Sequence, residues 1–215
     1  PDSTIAYVAD NGSNDVSVIN LVGTPSLVTT IALADAPFKV AFTPDGKKAY
    51  VTTPLGNSVY VIDVTMNSVI GTINLGLSSF PSSVEGTPYG TEMYVTDPGT
   101  SSVIRINTTT DTVVGAPIPV GSGPIALAFF PNGQRAYITN NSSSSVSVID
   151  TTSHTVVATI PAIDNPTGII ITPDGLTAYV STAVTNSIAI IDTTSNTVTG
   201  SIAGVIAGVG LSVSP

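Results

Sequence analysis

The segment that decides the fold runs from Pro131 to Ile160 and reads PNGQRAYITNNSSSSVSVIDTTSHTVVATI. Its runs AYITN, VSVID and TVVATI are rich in Val, Ile and Thr, which β-strands favour. VSVID alternates apolar and polar residues, as a strand in a half-buried sheet does. Pro-Asn-Gly and the short polar segments between the runs are typical of tight turns. The segment therefore predicts strands joined by turns, and no stretch has the apolar spacing of a helix.

The same pattern recurs along the whole chain with a period near 43 residues. A tyrosine marks the first run of each copy: Tyr7, Tyr50, Tyr94, Tyr137 and Tyr179. An Asp or Asn, which we expect to cap a turn, marks the end of the second run of each copy: Asn20, Asp63, Asn107, Asp150 and Asp192. Four strands per copy at this period are typical of a β-propeller blade, with a sandwich or barrel as the alternative. We predict one domain, 1–215, with repeats at about 1–43, 44–87, 88–130, 131–172 and 173–215.

The fourth copy carries a resemblance to a known family. Tyr137-Ile138-Thr139-Asn140, followed by the run from Val146 to Ile160, resembles the YVTN-type β-propeller repeat. The resemblance implies a cell-surface or extracellular setting, as in bacterial and archaeal surface-layer proteins. It implies no single activity, because relatives of this repeat include lyases, lactonases and nucleic-acid binders. Rings of this family usually have seven blades, whereas this chain has five repeats.

The two ends of the sequence predict how a ring would close. The chain starts just before the second strand of a blade, and the residues at 208–213 fit the missing innermost strand. We therefore predict an all-β, five-bladed propeller with four antiparallel strands per blade, closed by the C-terminal strand in the N-terminal blade. A cut from a longer array would look the same, and a first residue other than Met indicates a processed chain or a fragment.

The composition excludes several classes of function. The chain has no cysteine, one histidine, and a net charge of −9 from 5 basic and 14 acidic residues. This excludes disulfides and cysteine-ligated metals, and it makes nucleic acid an improbable partner because such binding needs basic patches. No apolar run is long enough to span a membrane. His154 lies in a turn slot that other copies fill with Asn or Asp, so we expect no catalytic triad, no metal site and no cofactor.

Candidate binding residues are those that break the repeat. Lys39 and Glu85 fall on the innermost strands of adjacent repeats, at positions that mostly hold small residues. They predict either a buried structural ion pair or a ligand site at the mouth of the central channel, with simple exposure as a third reading. Phe38 and Phe80 precede these strands and could line the same mouth.

Two further sets of residues predict surface roles. Four asparagines begin N-x-Ser/Thr sequons and are candidate glycan acceptors: Asn11, Asn107, Asn140 and Asn141. The outermost strands contain no charged residue, and natural proteins usually protect such edges. We predict that the edge of the fifth repeat is an assembly surface, formed by Thr199, Ile202, Val205 and Ile206.

Together these features predict a non-enzymatic cell-surface or extracellular module that acts as a scaffold, an adhesin or a subunit of a surface layer or filament. Its partners would be other surface proteins, copies of itself or glycans. Two alternatives stay open. One is an enzyme similar to the propeller lyases and lactonases, with its site at the channel mouth. The other is a carbohydrate-binding propeller with one shallow site per blade.

Overall fold

The computed structural model describes residues 4–205 and 211–212. These residues form twenty strands, all paired antiparallel, and no helix, which confirms the all-β prediction. The first sheet has three strands, and the second has four: β1 (Ile5–Asp10), β2 (Asp15–Asn20) and β3 (Ser26–Ala32), then β4 (Lys39–Phe42), β5 (Lys48–Thr53), β6 (Ser58–Asp63) and β7 (Ser68–Asn74).

The third sheet has five strands and the last two sheets have four each. The third contains β8 (Val84–Gly86), β9 (Glu92–Asp97), β10 (Ser102–Asn107), β11 (Thr112–Val113) and β12 (Ile118–Pro119). The fourth contains β13 (Pro124–Phe129), β14 (Arg135–Asn140), β15 (Ser145–Asp150) and β16 (Thr155–Ile160). The fifth contains β17 (Pro166–Ile171), β18 (Thr177–Thr182), β19 (Ser187–Asp192) and β20 (Thr197–Ala203).

The repeated Asp at the end of the third strand caps the turn that follows, as the sequence predicts. Asp150 Oδ1 accepts the backbone N–H groups of Thr152 and Ser153, at 3.0 and 2.8 Å. Hydrogen bonds from Ser153 hold the pKa of Asp150 below its usual value. In the second to fifth sheets this turn ends on a residue with positive φ, a conformation that Asn, Asp and His adopt more often than other non-glycine residues: Asn67, Asp111, His154 and Asn196.

The buried residues lie mainly on the two middle strands of each sheet. The chain divides into two compact units, one formed by residues up to Val95 with 105–115, the other by 96–104 and the residues from Ala116 onward. In the first unit, Tyr7, Val16 and Ile62 belong to a core that joins the first two sheets. In the second unit, Tyr137, Val148 and Ile191 belong to a core that joins the fourth and fifth sheets.

The outer strand of the third sheet differs from the sequence prediction. Four strands per copy predict one continuous outer strand here, but β11 and β12 are separated by residues 114–117. Gly115 takes a φ of 67° there, and a Cβ at this position would overlap Nη2 of Arg105. Proline 117 also lacks the N–H that a continuous ladder would use. The arginine beneath the strand and the proline within it together explain the break.

The predicted closing strand lies almost wholly outside the described residues. Of residues 208–213, the structure describes Leu211 and Ser212, which form no strand. The first sheet accordingly has three strands among the described residues. No helix in the described part of the chain is long and apolar enough to cross a membrane.

Candidate active site

The structure brings Lys39 and Glu85 together. Lys39 begins β4 and Glu85 is the middle residue of β8, so each lies on the first strand of its sheet. Lys39 Nζ is 3.5 Å from Glu85 Oε1, within ion-pair distance. Their side chains are 46% and 38% exposed. The pair is therefore partly open to solvent, which does not agree with the reading of a fully buried structural pair.

The carboxyl group of Glu85 has a perturbed pKa. Removal of surrounding water by the protein raises its pKa, and the neighbouring Lys39 ammonium opposes that effect only in part. Glu85 therefore keeps its proton to a higher pH than an ordinary glutamate. A carboxylate of raised pKa is a stronger base and a better general base near neutral pH.

Thr52, which sequence reasoning did not single out, holds the two strands at a fixed spacing. Its side chain is fully buried on β5. Its hydroxyl accepts the N–H of Lys39 at 3.1 Å and donates to the carbonyl of Ser82 at 2.7 Å, in the segment before β8. Thr139 occupies the same position in the fourth sheet and accepts the N–H of Ala126. This repeated threonine is the signal in the sequence that could have revealed its role.

Two aromatic side chains lie on the segments that lead into these strands. Phe38 is 56% exposed and Phe80 is 45% exposed. The N–H of Phe38 donates to the carbonyl of Thr52 at 2.8 Å, which fixes the backbone next to Lys39. Aromatic rings at this exposure provide apolar contact area that a small ligand could cover.

A second unpredicted contact fixes the segment before β4. The hydroxyl of Tyr60 donates to Asp35 Oδ2 at 3.2 Å. Gly56 lies against the same carboxylate, because a Cβ there would overlap Asp35. The contacts of Asp35 and the hydrogen bonds to Thr52 thus fix the backbone that carries Lys39.

The chemistry available here is that of an acid–base pair. A carboxylate of raised pKa can accept a proton from water, and an ammonium group can stabilise a developing oxyanion. No group of three or more His, Cys, Asp or Glu residues that could hold a metal ion occurs among the described residues.

Comparison with known proteins identifies the family. A family model described as "Lactonase, 7-bladed beta-propeller" matches residues 77–203, more than half of the chain. The chain belongs to the lactonase family of β-propellers. The matched region of this lactonase-family chain contains Glu85 and Phe80 but starts after Lys39 and Phe38. A search of curated proteins found no match.

Solved structures resemble this lactonase-family chain in fold. A suggested 6-phosphogluconolactonase from Bacteroides uniformis is 19% identical with a TM-score of 0.83. The match covers 98% of this chain and 71% of that one. A protein of unknown function from Desulfotomaculum acetoxidans is also 19% identical with a TM-score of 0.83, over 94% and 68% of the two chains. Hydrazine synthase from Kuenenia stuttgartiensis is 26% identical with a TM-score of 0.72 over 78% of this chain. This chain spans 49% of the hydrazine synthase chain.

The family match corrects two sequence predictions. The prediction of a non-enzymatic scaffold, adhesin or surface-layer subunit is wrong, because the match is to a lactonase family. The same match supports a propeller family but not the surface-layer type that the YVTN motif had indicated. The alternative reading, a lactonase-like enzyme, agrees better with the comparison. An extracellular or cell-surface location stays a prediction.

The four sequon asparagines of the lactonase-family chain differ in their surroundings. Asn11 is exposed, and its Nδ2 donates to the carbonyl of Pro37 at 3.1 Å. Asn141 Nδ2 makes the equivalent bond to the carbonyl of Pro166 at 3.2 Å. Asn107 Oδ1 caps a turn by accepting from the N–H of Thr109.

Asn140 does not fit the predicted role. It is fully buried, and its Nδ2 donates to Ser145 Oγ and Ser147 Oγ at 3.1 and 2.9 Å. A glycan on this nitrogen would break both bonds and has no space in the folded chain. Glycosylation of Asn11, Asn107 and Asn141 stays a prediction.

The predicted assembly edge is exposed where the structure describes it. Every residue of β20 is exposed, including Thr199 and Ile202, and no strand of the described residues pairs with its outer side. Val205 is half-buried and donates its N–H to the carbonyl of Asn186 at 3.0 Å. Ile206 lies outside the described residues. Assembly through this edge stays a prediction.

Proposed function

We propose that the chain provides a lactonase site at which water opens a cyclic ester to a hydroxy acid. Membership of the lactonase propeller family carries the proposal, because the match includes Glu85. The contact of Glu85 with Lys39 at 3.5 Å supports the location. Glu85 is the general base, Lys39 binds the carbonyl oxygen, and Phe38 and Phe80 contact the apolar face of the ring.

The reaction uses one water and returns both residues to their starting states. The Glu85 carboxylate accepts a proton as the water oxygen attacks the carbonyl carbon of the lactone. Lys39 stabilises the negative charge that develops on the carbonyl oxygen. The bond from that carbon to the ring oxygen then breaks, and Glu85 returns its proton to the ring oxygen. The product is a hydroxy acid, whose carboxyl group ionises in solution.

The test measures lactone opening in a pH-stat with glucono-δ-lactone, corrected for the reaction without protein. We expect Glu85→Gln to lower kcat/KM by about 10²–10⁴-fold, the usual contribution of a general base. Lys39→Met should lower kcat more than it changes KM. The control is Lys47→Met, because the Lys47 side chain is 79% exposed and its ion pair is with Asp45. Equal rates for Glu85→Gln and the unchanged chain would contradict the proposal.

The architecture of the ring is part of the same proposal. We propose that the five sheets are consecutive blades of one propeller and that residues 208–213 complete the first. The regular repeat and the match to a propeller family support this. The family is described as seven-bladed. Closure at five blades is thus the point that the truncation experiment in the Discussion tests.

A further inference from the structure

A groove of about 350 Å³ lies between turns of the fourth and fifth sheets. Its lining includes the turn before β14, the turn before β18 and the residues after β19: Pro131, Gln134, Arg135, Asp174, Leu176 and Thr194. The volume is within the range of small-molecule sites. None of the four residues of the candidate active site lines it, so what it binds does not depend on the proposed lactonase activity.

The repeat reveals why this groove differs from the equivalent place in the first unit. There Lys48, at the start of β5, donates from Nζ to the Thr108 carbonyl at 2.9 Å and to Asp111 Oδ2 at 2.7 Å. Asp111 also accepts the hydroxyl of Tyr50. The cation of one sheet is therefore neutralised by a carboxylate on the turn of the next sheet.

The fourth and fifth sheets keep this geometry without the carboxylate. Arg135 starts β14, as Lys48 starts β5, and Tyr137 takes the place of Tyr50. Asn196 takes the place of Asp111, and its Oδ1 accepts the hydroxyl of Tyr137. The substitution of Asn for Asp leaves the tyrosine bond intact and removes the negative charge.

The guanidinium of Arg135 is consequently uncommitted in the described part of the chain. No hydrogen bond or ion pair to residues 4–205 or 211–212 holds it. Its charge opposes the rise in the pKa of Tyr137 and is the last of several causes that lower the pKa of its cross-strand neighbour Asp150. A planar guanidinium with free donors is the side chain best suited to bind a carboxylate in a bidentate way.

The groove also offers acceptors and a hydroxyl beside this cation. Asp174 uses Oδ1 to accept from Thr172 Oγ1 and from the N–H of Leu176, so Oδ2 retains its accepting capacity. Thr194 is exposed, and its N–H is bonded to Asp192, so its hydroxyl remains available. A ligand that meets Asp174 must bring a donor, because a second anion there would be repelled.

We propose that this groove binds a small hydroxylated carboxylic acid. Its carboxylate pairs with Arg135, and its hydroxyl groups donate to Asp174 Oδ2 and Thr194. A neutral polyol would leave Arg135 without a partner, and a simple anion would leave Asp174 without a donor. The two side chains therefore select for both features in one molecule.

The test is an NMR titration of the ¹⁵N-labelled chain that follows the backbone amides of Leu176, Thr193 and Thr194. The probes are gluconate, sorbitol, which keeps the hydroxyls without the carboxylate, and inorganic phosphate. We expect saturable shifts with gluconate, and dissociation constants at least tenfold higher for sorbitol and for phosphate. Absence of saturable shifts with gluconate, or binding of sorbitol or phosphate as tight as that of gluconate, would overturn the proposal.

Variants separate the contributions of the two groove residues. Arg135→Gln should weaken gluconate binding at least tenfold, whereas Lys47→Gln, which removes the same charge from a site outside the groove, should change it less than twofold. Asp174→Asn should reduce the preference for gluconate over phosphate. Glu85→Gln should leave these amide shifts unchanged. Failure of the proposed lactonase activity can therefore be distinguished from failure of the proposed gluconate binding in the groove. Unaltered gluconate binding by Arg135→Gln would refute the assignment.

Discussion

The ion pair between Lys39 and Glu85 is in contact with water, and this limits its contribution to stability. Ion pairs at this exposure contribute about 0–1 kcal/mol, far less than a buried pair. Lys39→Met should therefore lower the free energy of unfolding by less than about 1 kcal/mol, as measured by urea denaturation. A loss of several kcal/mol would mean that the pair is buried in solution.

The raised pKa of Glu85 gives a pH dependence of defined sign. Because the folded state binds this proton more tightly than the unfolded state, its stabilising contribution is complete below the ordinary glutamate pKa. That contribution is lost as the pH rises through the raised value. Relative to Glu85→Gln, the unchanged chain should lose stability as the pH rises above the ordinary glutamate pKa.

Asp45 provides the control for this measurement. A hydrogen bond from Thr43 holds the pKa of Asp45 below its usual value. Its contribution is thus present above the ordinary aspartate pKa and lost as the pH falls. The chain should gain stability relative to Asp45→Asn as the pH rises. A trend of the same sign for both variants would contradict these assignments.

At the level of the structural element, a tyrosine hydroxyl connects each of three strands to the turn of the next sheet. Tyr137 on β14 donates to Asn196, and burial raises its pKa to about 12, so it remains a donor at physiological pH. Tyr137→Phe removes the donor to Asn196 Oδ1 and should lower the free energy of unfolding by about 1–2 kcal/mol. The same change at Tyr179, whose hydroxyl has no hydrogen-bond partner among the described residues, should lower the free energy of unfolding by less than about 0.5 kcal/mol. Similar losses for both variants would argue against the bond.

The break between β11 and β12 predicts a strict requirement for glycine. Gly115→Ala should destabilise the third sheet through positive φ and through overlap with Arg105, which is paired with Glu92 at 3.1 Å. We expect a loss of about 2–4 kcal/mol in thermal or urea unfolding. Gly23→Ala tests the backbone cost alone, because Gly23 also has positive φ but no atom lies near its Cβ position. This variant should lose about 1 kcal/mol of unfolding free energy.

The strands could be predicted because their signals are local. Alternation in VSVID and the capping Asp150 act within a few residues, and both recur in each copy. The break in the third sheet could not be predicted, because it depends on Arg105 lying under a residue ten positions later. The contact of Lys39 with Glu85 followed from the repeat, whereas its exposure depends on packing that no single copy encodes.

At the scale of the whole molecule, the first sheet has three strands among the described residues while its counterparts in the second, fourth and fifth positions have four. If residues 208–213 supply the missing strand, removal of 206–215 should expose the edge of β1. The truncated chain should then aggregate or lose its sharp thermal transition, as followed by light scattering and circular dichroism. Melting identical to that of the full chain would argue against closure.

The prediction of a non-enzymatic function is wrong for a reason that concerns the whole chain. The chain has one histidine and no cysteine, so its sequence shows no cluster of the usual catalytic residues. The lactonase family is recognised instead by similarity spread over residues 77–203. Lys39 and Glu85 each depart from the repeat in one copy, and a single departure does not distinguish a structural residue from a functional one.

The hydrogen bonds from tyrosines to turns also indicate the order in which parts of the chain fold. Tyr7, Tyr50 and Tyr137 reach partners 60, 61 and 59 residues further along the chain. Hairpins within a sheet close short loops, whereas these bonds need two finished sheets to meet, so they should form after the transition state. Tyr137→Phe should then accelerate unfolding and leave the refolding rate nearly unchanged. The lifetime of the folded chain, more than the speed with which it is reached, would rest on these hydroxyl groups.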